Sequence, residues 1–433
     1  MLPQANGSTC AITAVSSTVA VLTKSFGPHF FAALQLSYWT TSALTSLAAS
    51  LVNRRFDVRF GLVLSHAIRA TIGFGGSAAA LSLFPLAVRH GRERVLLLCA
   101  GLGALQASTG SAYFALLPLC DRRCIRAASI GQVASGPLLL LAMLAVAAAS
   151  RSPFGDADAP RGMEAFFLAS AAMCLAGLVG FVFLSSSPGL APHKPAAQRS
   201  AAEETESAEL SAPLLAAEDS ADEAPEAVAE AHAAEPAIPS PPPRLVLLRR
   251  FWRPALALWC SVFAALLQPQ FFPLCPGSWG DHTGLAVVLV YVRAISDAAA
   301  RPLVPVHGAG TAWERWLLAA AALRLLLLGP FFCFVITGGA GMEATWRRDG
   351  AVCALIAVSS AISGALNTAA YAVAAGAEST EEDGGEEVGG ALLGRLMPLV
   401  FQSAVLCALG VGALLMMTTR MQQAADARAT FLV

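Results

Sequence analysis

Long apolar runs recur along this chain and constrain its fold more than any other feature. A helix needs about 20 mostly apolar residues to cross the hydrocarbon core of a bilayer. Such runs lie at residues 9–26, 30–52, 61–88, 95–118, 126–149 and 163–185 and, after a gap, at 251–275, 284–306, 316–337, 351–376 and 390–417. We therefore predict an all-α polytopic membrane protein with about eleven transmembrane helices in a 6+5 arrangement. The first run is short and rich in Ser and Thr, so ten spans are the alternative.

The charge content favours a membrane setting and argues against a nucleic-acid partner. Only 13% of the residues are charged and 56% are apolar, whereas soluble domains carry about 25% charged residues. The formal net charge is −1, so there is no bulk electrostatic attraction to nucleic acid. We therefore expect the lipid bilayer to surround most of the surface of a multi-pass integral membrane protein.

The gap after the sixth run divides the chain into two halves. No Lys or Arg occurs over residues 200–243, while Asp and Glu recur among Ala, Pro and Ser. Such a segment buries too little apolar area to offset the entropy of ordering, so we predict a disordered acidic loop over 186–250. This loop separates an N-terminal six-helix bundle (1–185) from a C-terminal five-helix bundle (251–417), which is followed by a short tail (418–433). The Lys/Arg distribution favours a cytoplasmic N-terminus and a cytoplasmic central loop.

The sequence contains no arrangement of residues that is typical of an enzyme. Gly-x-Ser-x-Gly, His-Glu-x-x-His and Walker-type phosphate-loop motifs are all absent, so we predict neither catalysis nor ATP-driven pumping by this chain. The closely spaced cysteines Cys120 and Cys124 lack a second Cys/His pair, so we expect no metal site and no cofactor. A transporter or a membrane scaffold is therefore the expected class.

The eighth run differs from the others because three charged side chains share one helical face. Arg293, Asp297 and Arg301 are four residues apart, a spacing that makes them neighbours along a helix. A charge near the bilayer centre costs about 2.5–3.5 kcal/mol on insertion scales, so such residues usually pair and face the protein interior. We call these three residues the charged stripe. It predicts a solute-contacting site or, as the alternative, a structural ion pair with Arg301 reaching the interface.

Four further polar residues inside the predicted spans are candidates for the same site: Gln106, Gln132, Arg324 and Asn367. Taken alone, each residue of this kind is more often a hydrogen-bonding contact between helices than a ligand. Prolines and paired glycines within the runs predict kinked, closely packed helices. Two halves built from kinked helices favour alternating access, in which the halves rock around a site near the membrane midplane.

Four stretches of the chain resemble the equilibrative nucleoside transporter family. They are Gly-Ala-Leu-Gln-Ala-Ser at 103–108 with Leu-Leu-Pro at 116–118, Gly-Gln-Val-Ala-Ser-Gly at 131–136, Asp-Ala-Ala-Ala-Arg at 297–301, and Arg324 with Pro330. The six-plus-five layout with a large central loop agrees with that family. The resemblance implies a major-facilitator-like two-bundle architecture that moves nucleosides or nucleobases across a membrane by facilitative alternating access.

The same resemblance implies a role for individual residues. Gln106 matches a glutamine that hydrogen-bonds the nucleobase, and Asp297 and Arg301 match a pair that contacts the ribose hydroxyls. We place Gln132, Arg324 and Asn367 in supporting positions. Arg293 joins them on the argument from the helical face alone.

Two other interpretations are open from the sequence. Battenin-like lysosomal membrane proteins share the layout and the acidic loop, and a major-facilitator carrier of another small polar solute is the third option. Glu209 and the Leu214–Leu215 pair are one residue off the spacing of an acidic dileucine sorting signal, so the plasma membrane and the endolysosomal membrane are both candidate locations. Protons are a candidate coupling ion because Asp297 could carry one, although two arginine neighbours favour its charged form and hence passive exchange.

Overall fold

The computed structural model describes residues 2–27, 29–60, 62–116, 122–150, 160–185, 244–275, 283–304, 311–337, 345–376, 397 and 399–418. Regular secondary structure within these ranges is entirely helical, which confirms the predicted fold class. Residues 186–243 of the predicted loop and 419–433 of the predicted tail lie outside the described residues. The side chain of Gln132 also lies outside the described part of the chain, although its backbone is helical.

The N-terminal half contains the helices α1 (Leu2–Ser17), α2 (Val19–Phe26), α3 (Phe30–Phe60), α4 (Leu62–His90), α5 (Arg92–Leu116), α6 (Arg122–Ser150) and α7 (Pro160–Ser185). The predicted first span is broken, because α1 and α2 meet at a bend of 55°. At this break the Thr18 hydroxyl donates a hydrogen bond to the backbone oxygen of Val15 at 2.8 Å. The bond helps to satisfy a carbonyl at the end of α1, where the helical ladder stops.

The C-terminal half contains the helices α8 (Arg244–Leu267), α9 (Thr283–Ala300), α10 (Thr311–Leu326), α11 (Leu328–Thr337), α12 (Thr345–Gly376) and α13 (Leu399–Thr418). Short 3₁₀ segments continue two of them, Gln268–Leu274 after α8 and Arg301–Leu303 after α9. Both contain proline, which cannot donate to the α-helical ladder, so the helical geometry changes there. α8 begins before residue 251, where the sequence placed the second bundle, because its first turns carry arginines that an apolar run excludes.

Six helices among the described residues are long and apolar enough to cross a membrane, or up to seven if the bent pair α1–α2 is one span. Each of the eleven predicted runs contains helix, including the last run, which holds α13. Large apolar side chains also point outward: Leu97, Phe183 and Ile336 are 75%, 74% and 77% exposed. Such side chains suit contact with lipid rather than water. The number of membrane crossings stays a prediction.

The N-terminal bundle has a core of its own. α5 packs on α3 and α4, and α1 packs on α6 and α7. Phe84 of α4 and Phe167 of α7 are fully buried and stacked, with ring centroids 4.6 Å apart. Gly103 of α5 lies directly against the backbone oxygen of Tyr38 on α3, so these two helices touch backbone to backbone. Small residues permit such close packing between membrane helices.

The C-terminal bundle has a second core around α9 and α12. α9 packs along α12, while α8 packs on α10 and α12. Phe271 and Phe272 of the first 3₁₀ segment meet Phe332 and Phe331 of α11 edge to face, at centroid distances of 5.0 and 6.1 Å. Aromatic packing therefore stabilises the segment after α8 in which the α-helical geometry changes to 3₁₀ geometry.

α9 lies between the two bundles. It packs on α6 and α2 of the N-terminal half as well as on α12. A Cβ atom on Gly136 of α6 would collide with Ala294 of α9, so the helices cross through small residues. A polar link lies elsewhere on the interface, where Gln402 Nε2 donates to Ser46 Oγ at 3.1 Å. The charged stripe is thus carried by a helix that borders both halves.

Candidate solute-binding site

The charged stripe contains one ion pair, between Asp297 and Arg301. Arg301 Nε donates to Asp297 Oδ1 at 3.0 Å, and Arg301 Nη2 donates to Oδ2 at 3.4 Å. The Arg301 side chain is 6% exposed and that of Asp297 is 17% exposed. Arg301 is the first residue of the 3₁₀ segment that follows α9, with Pro302 directly behind it. Two donors on two oxygens fix the orientation of the carboxylate.

Gly364 of α12 brings a neighbouring helix directly onto this carboxylate. A Cβ atom at position 364 would lie 2.5 Å from Asp297 Oδ1 and would also collide with the Asp297 backbone oxygen. No other residue type fits this crossing without moving α9 or α12. One side of the Asp297 carboxylate is therefore closed by helix backbone.

Arg324 of α10 is buried, with 1% of its surface exposed. Its Nη1 donates to Ser261 Oγ of α8 at 2.6 Å, and its Nε has no hydrogen-bond partner within the described ranges. Asp297 attracts the Arg324 guanidinium, whereas Arg293 and Arg301 repel it. These four side chains therefore form one electrostatic neighbourhood, which we call the charged cluster.

Arg293 is half-buried and lies one helical turn before Asp297 on α9. Among the residues that the structure describes, it makes no hydrogen bond and no ion pair, so Asp297 pairs with the arginine that follows it and not with the one that precedes it. Asp297 still attracts Arg293 through space. Within the charged stripe, Arg293 is therefore the residue whose N–H donors have no acceptor among the described residues.

Asn367 and Tyr371 of α12 lie on the side of that helix that includes Gly364, since residues three and four apart share a helical face. The Oδ1 atom of Asn367 is buried and accepts no hydrogen bond from any described residue. Arg301 acts electrostatically on Tyr371, which places the phenol near the ion pair. Asn367 Oδ1 is therefore a buried acceptor without a partner among the described residues, on the helix that packs along α9.

Gln106 stands apart from this group. It lies on α5, which packs on α3 and α4 inside the N-terminal bundle, and no hydrogen bond joins it to Asp297 or Arg301. Its side chain is half-buried. The structure thus brings together Arg293, Asp297, Arg301 and Arg324 and leaves Gln106 on the opposite bundle. Its predicted contact with a nucleobase stays a prediction, as does the supporting role of Gln132.

Three residues of the site were not predicted: Ser261, Gly364 and Tyr371. Gly364 had a signal, because a glycine within an apolar helix often marks a close approach by another backbone. Ser261 had none, since a hydroxyl within a span usually bonds to its own helix. Pairings between distant helices, such as that of Ser261 with Arg324, do not follow from spacing along the chain. Over the described ranges, no group of three His, Cys, Asp or Glu side chains could hold a metal ion.

No family model matches the sequence, and a search of curated proteins gives no match. Among solved structures, the chain is similar to the nucleoside transporter NupG at 12% identity, over 95% of this chain and 89% of that one, with a TM-score of 0.48. It is similar to the proton:xylose symporter XylE of the major facilitator superfamily at 12% identity, over 98% and 89% of the two chains, with a TM-score of 0.45. The fucose:proton symporter FucP of E. coli matches at 11% identity, over 98% and 92%, with a TM-score of 0.43. TM-scores below 0.5 carry no argument about the solute.

The helices and the site together define the class of this protein. It is an all-α polytopic membrane protein of two helical bundles, with a buried charged cluster on and beside the helix that borders both.

Proposed function

We propose that this chain carries nucleosides or nucleobases across a membrane by facilitative alternating access. The observation that carries the proposal is the largely buried Asp297–Arg301 pair at the end of α9, the helix between the two bundles. A solute site of a two-bundle carrier is expected at that position, because it must be reachable from each side in turn.

The geometry of the pair argues against a purely structural role. An ion pair that locks a bundle together would join two helices, whereas Asp297 and Arg301 lie next to each other on the same stretch of chain. Burying two charges costs several kcal/mol of desolvation per ion, and their mutual attraction often fails to repay it. The cost of desolvating this pair is more readily explained by a ligand than by a gain in stability.

The available donors and acceptors suit a ribose. The Asp297 carboxylate can accept hydrogen bonds from two neighbouring hydroxyls while it keeps its contacts with Arg301. Asn367 Oδ1 is a further acceptor without a partner in the described residues. An uncharged polar solute needs a few fixed groups of this kind in an otherwise apolar cavity.

The contact between the bundles suits a rocking motion. The N-terminal bundle has a core of its own, and α9 crosses α6 where Gly136 lies against Ala294. Larger side chains also meet between the halves, where the Tyr291 hydroxyl donates to Met143 Sδ at 3.3 Å and the Trp39 and Phe401 ring centroids are 6.2 Å apart. A crossing through small residues such as Gly136 and Ala294 lets one bundle pivot against the other as a rigid body, while the larger side chains can slide past one another.

The test is uptake of radiolabelled adenosine and uridine into proteoliposomes that contain the purified full-length chain. Asp297→Asn removes the charge at nearly constant volume and should lower uptake roughly 10- to 100-fold, the usual effect of losing a charge-assisted hydrogen bond. Glu164→Gln is the matched control, since Glu164 also pairs with an arginine but is 45% exposed, and its uptake should stay within about twofold of wild type.

Two results would contradict the proposal. If correctly folded protein took up no nucleoside and no nucleobase, the substrate class would be wrong. If Asp297→Asn transported as fast as Glu164→Gln, the ion pair would be a packing feature. Uptake that is equal with and without a pH gradient supports facilitative transport, whereas stimulation by the gradient would assign a coupling role to protons.

A carrier of another small polar solute is the second candidate, because the three arginines and one carboxylate of the charged cluster can bind polar groups other than a ribose. A battenin-like role rests on the acidic loop, most of which lies outside the described residues. Microscopy of a fluorescent fusion would distinguish the plasma membrane from endolysosomal membranes.

A further inference from the structure

The charged cluster has an excess of positive charge. Arg293, Arg301 and Arg324 contribute three guanidinium groups, and Asp297 contributes the one carboxylate within the described part of the cluster. The other carboxylates that the structure describes lie elsewhere: Glu164 and Asp349 pair with Arg89 and Arg348, and Glu93 is in the first turn of α5. The cluster therefore carries a net charge of about +2 when its groups are ionised.

Two of the three guanidinium groups have unused donors. Arg293 makes no hydrogen bond or ion pair within the described ranges, and Arg324 bonds through Nη1 alone while its buried Nε has no partner there. A guanidinium presents five N–H donors, so most of the hydrogen-bonding capacity of these two residues is unmet. Arg301, by contrast, is held by Asp297 at two points.

Unpaired guanidinium groups are costly in this setting. Burying a charge without a partner is strongly unfavourable, and arginines within membrane helices normally pair or line a polar cavity. Asp297 attracts both Arg293 and Arg324, but it cannot neutralise them while it is bound to Arg301. Two guanidinium groups without ionic partners are suited to binding a negatively charged group of a solute.

We infer that the transported solute carries an anionic phosphate group, which is bound by Arg293 and Arg324 while Asp297 and Arg301 hold the polyol. The inference rests on the proposed function and extends its substrate class from uncharged nucleosides to nucleoside monophosphates. A phosphate monoester carries a charge of about −1.5 to −2 at neutral pH, which matches the excess of the cluster. Its oxygens also match the planar fork of a guanidinium.

Charge balance gives this solute a mechanistic advantage. A complex close to neutral can be enclosed between the bundles during a conformational change at lower cost than one with two excess charges. An uncharged nucleoside would leave the excess positive charge of the cluster uncompensated in the open and in the occluded conformation. Phosphate binding therefore favours the occluded state, through which a carrier must pass.

The experiment compares adenosine with adenosine 5′-monophosphate on the same protein. Proteoliposomes that contain the full-length chain are loaded with unlabelled adenosine 5′-monophosphate, and exchange of labelled adenosine and labelled monophosphate is measured for wild type and for Arg293→Gln. We expect wild type to prefer the monophosphate, and Arg293→Gln to reduce that preference roughly 10- to 100-fold, because charge-assisted hydrogen bonds to phosphate are lost.

Two further variants separate charge from stability. Arg293→Lys keeps the charge without the fork and should retain part of the preference. Arg92→Gln removes an exposed arginine that lies over the Phe30 ring at 5.5 Å, outside the charged cluster, and should leave the preference unchanged. Thermal unfolding of each purified variant, with and without the monophosphate, gives a binding readout that does not depend on transport: the monophosphate should raise the apparent Tm of wild type and not that of Arg293→Gln.

The outcomes are distinguishable from those that test the proposed function. Transport of adenosine in preference to the monophosphate, unchanged by Arg293→Gln, would overturn the phosphate site and leave nucleoside transport standing. Transport of neither compound would overturn both. If inorganic phosphate or chloride alone stimulated adenosine exchange in wild type but not in Arg293→Gln, the anion would be a separate co-ion, and its assignment to the solute would be wrong.

Discussion

The close crossing of α12 over Asp297 predicts that Gly364→Ala will not stabilise the protein, although the same substitution usually stabilises a helix. Replacing a glycine inside a helix with alanine normally stabilises the helix by about 0.5–1 kcal/mol, because the unfolded chain loses freedom. At Gly364 the added Cβ atom would lie 2.5 Å from Asp297 Oδ1 and against the backbone of α9. Restoring ordinary contact requires a separation of about 1 Å, which a helix backbone gives up less readily than a flexible side chain.

Overpacking of this kind costs about 1–3 kcal/mol, so it outweighs or cancels the gain in helix propensity. Gly350 is the matched control, since it lies on the same helix and a Cβ atom there meets nothing within 4 Å. We therefore expect Gly350→Ala to raise the free energy of unfolding and Gly364→Ala to leave it unchanged or lower it. The difference between the two variants should be about 1–3 kcal/mol.

Two assays check this prediction. Thermal unfolding of the purified variants should give a lower apparent Tm for Gly364→Ala than for Gly350→Ala. Uptake should fall in Gly364→Ala alone, because displacement of α12 disturbs the Asp297–Arg301 pair. Equal increases in apparent Tm with unchanged uptake in both variants would show that α12 does not press on this carboxylate, and the geometry described for the site would be refuted.

Two more predictions concern contacts between helices. Ser261→Ala removes the acceptor of Arg324 Nη1 and should destabilise the folded protein by about 1–3 kcal/mol in unfolding measurements, since a buried donor loses its partner; an unchanged apparent Tm would mean that Arg324 has another acceptor. Gly136→Val should block the close approach of α6 to Ala294 and slow uptake more than it lowers the apparent Tm, and uptake at the wild-type rate would indicate that this crossing does not close during transport.

The helices were predictable because the criterion that finds them is local. About twenty apolar residues suffice for a span, and every predicted run contains helix. The only indication of the break near Thr18 was that the first run is short and rich in Ser and Thr. The predicted second bundle begins at residue 251, whereas α8 begins at Arg244. The apolar run excludes the arginines of the first turns, but those turns are helical.

The site was predictable only along its own helix. Four-residue spacing brings Arg293, Asp297 and Arg301 to one face, and it allowed the carboxylate to pair with either arginine. The structure selects Arg301, which turns toward Asp297 at the start of the 3₁₀ segment. Arg324 was a candidate from its residue type, but its partner Ser261 lies 63 positions away in the chain and had no signal.

The pattern of apolar and charged residues is enough to predict an all-α membrane protein in two halves, with charge concentrated on the eighth run. Composition and periodicity suffice for this because the bilayer imposes the same length and polarity on every span. Which of these charges are neutralised becomes known from the folded protein alone. The surroundings of these charges depend on the approach of α12 to α9 and of α10 to α8, and helix packing sets those approaches through contacts between residues distant in sequence. That packing leaves Asp297 bound to Arg301 and the donors of Arg293 and Arg324 available.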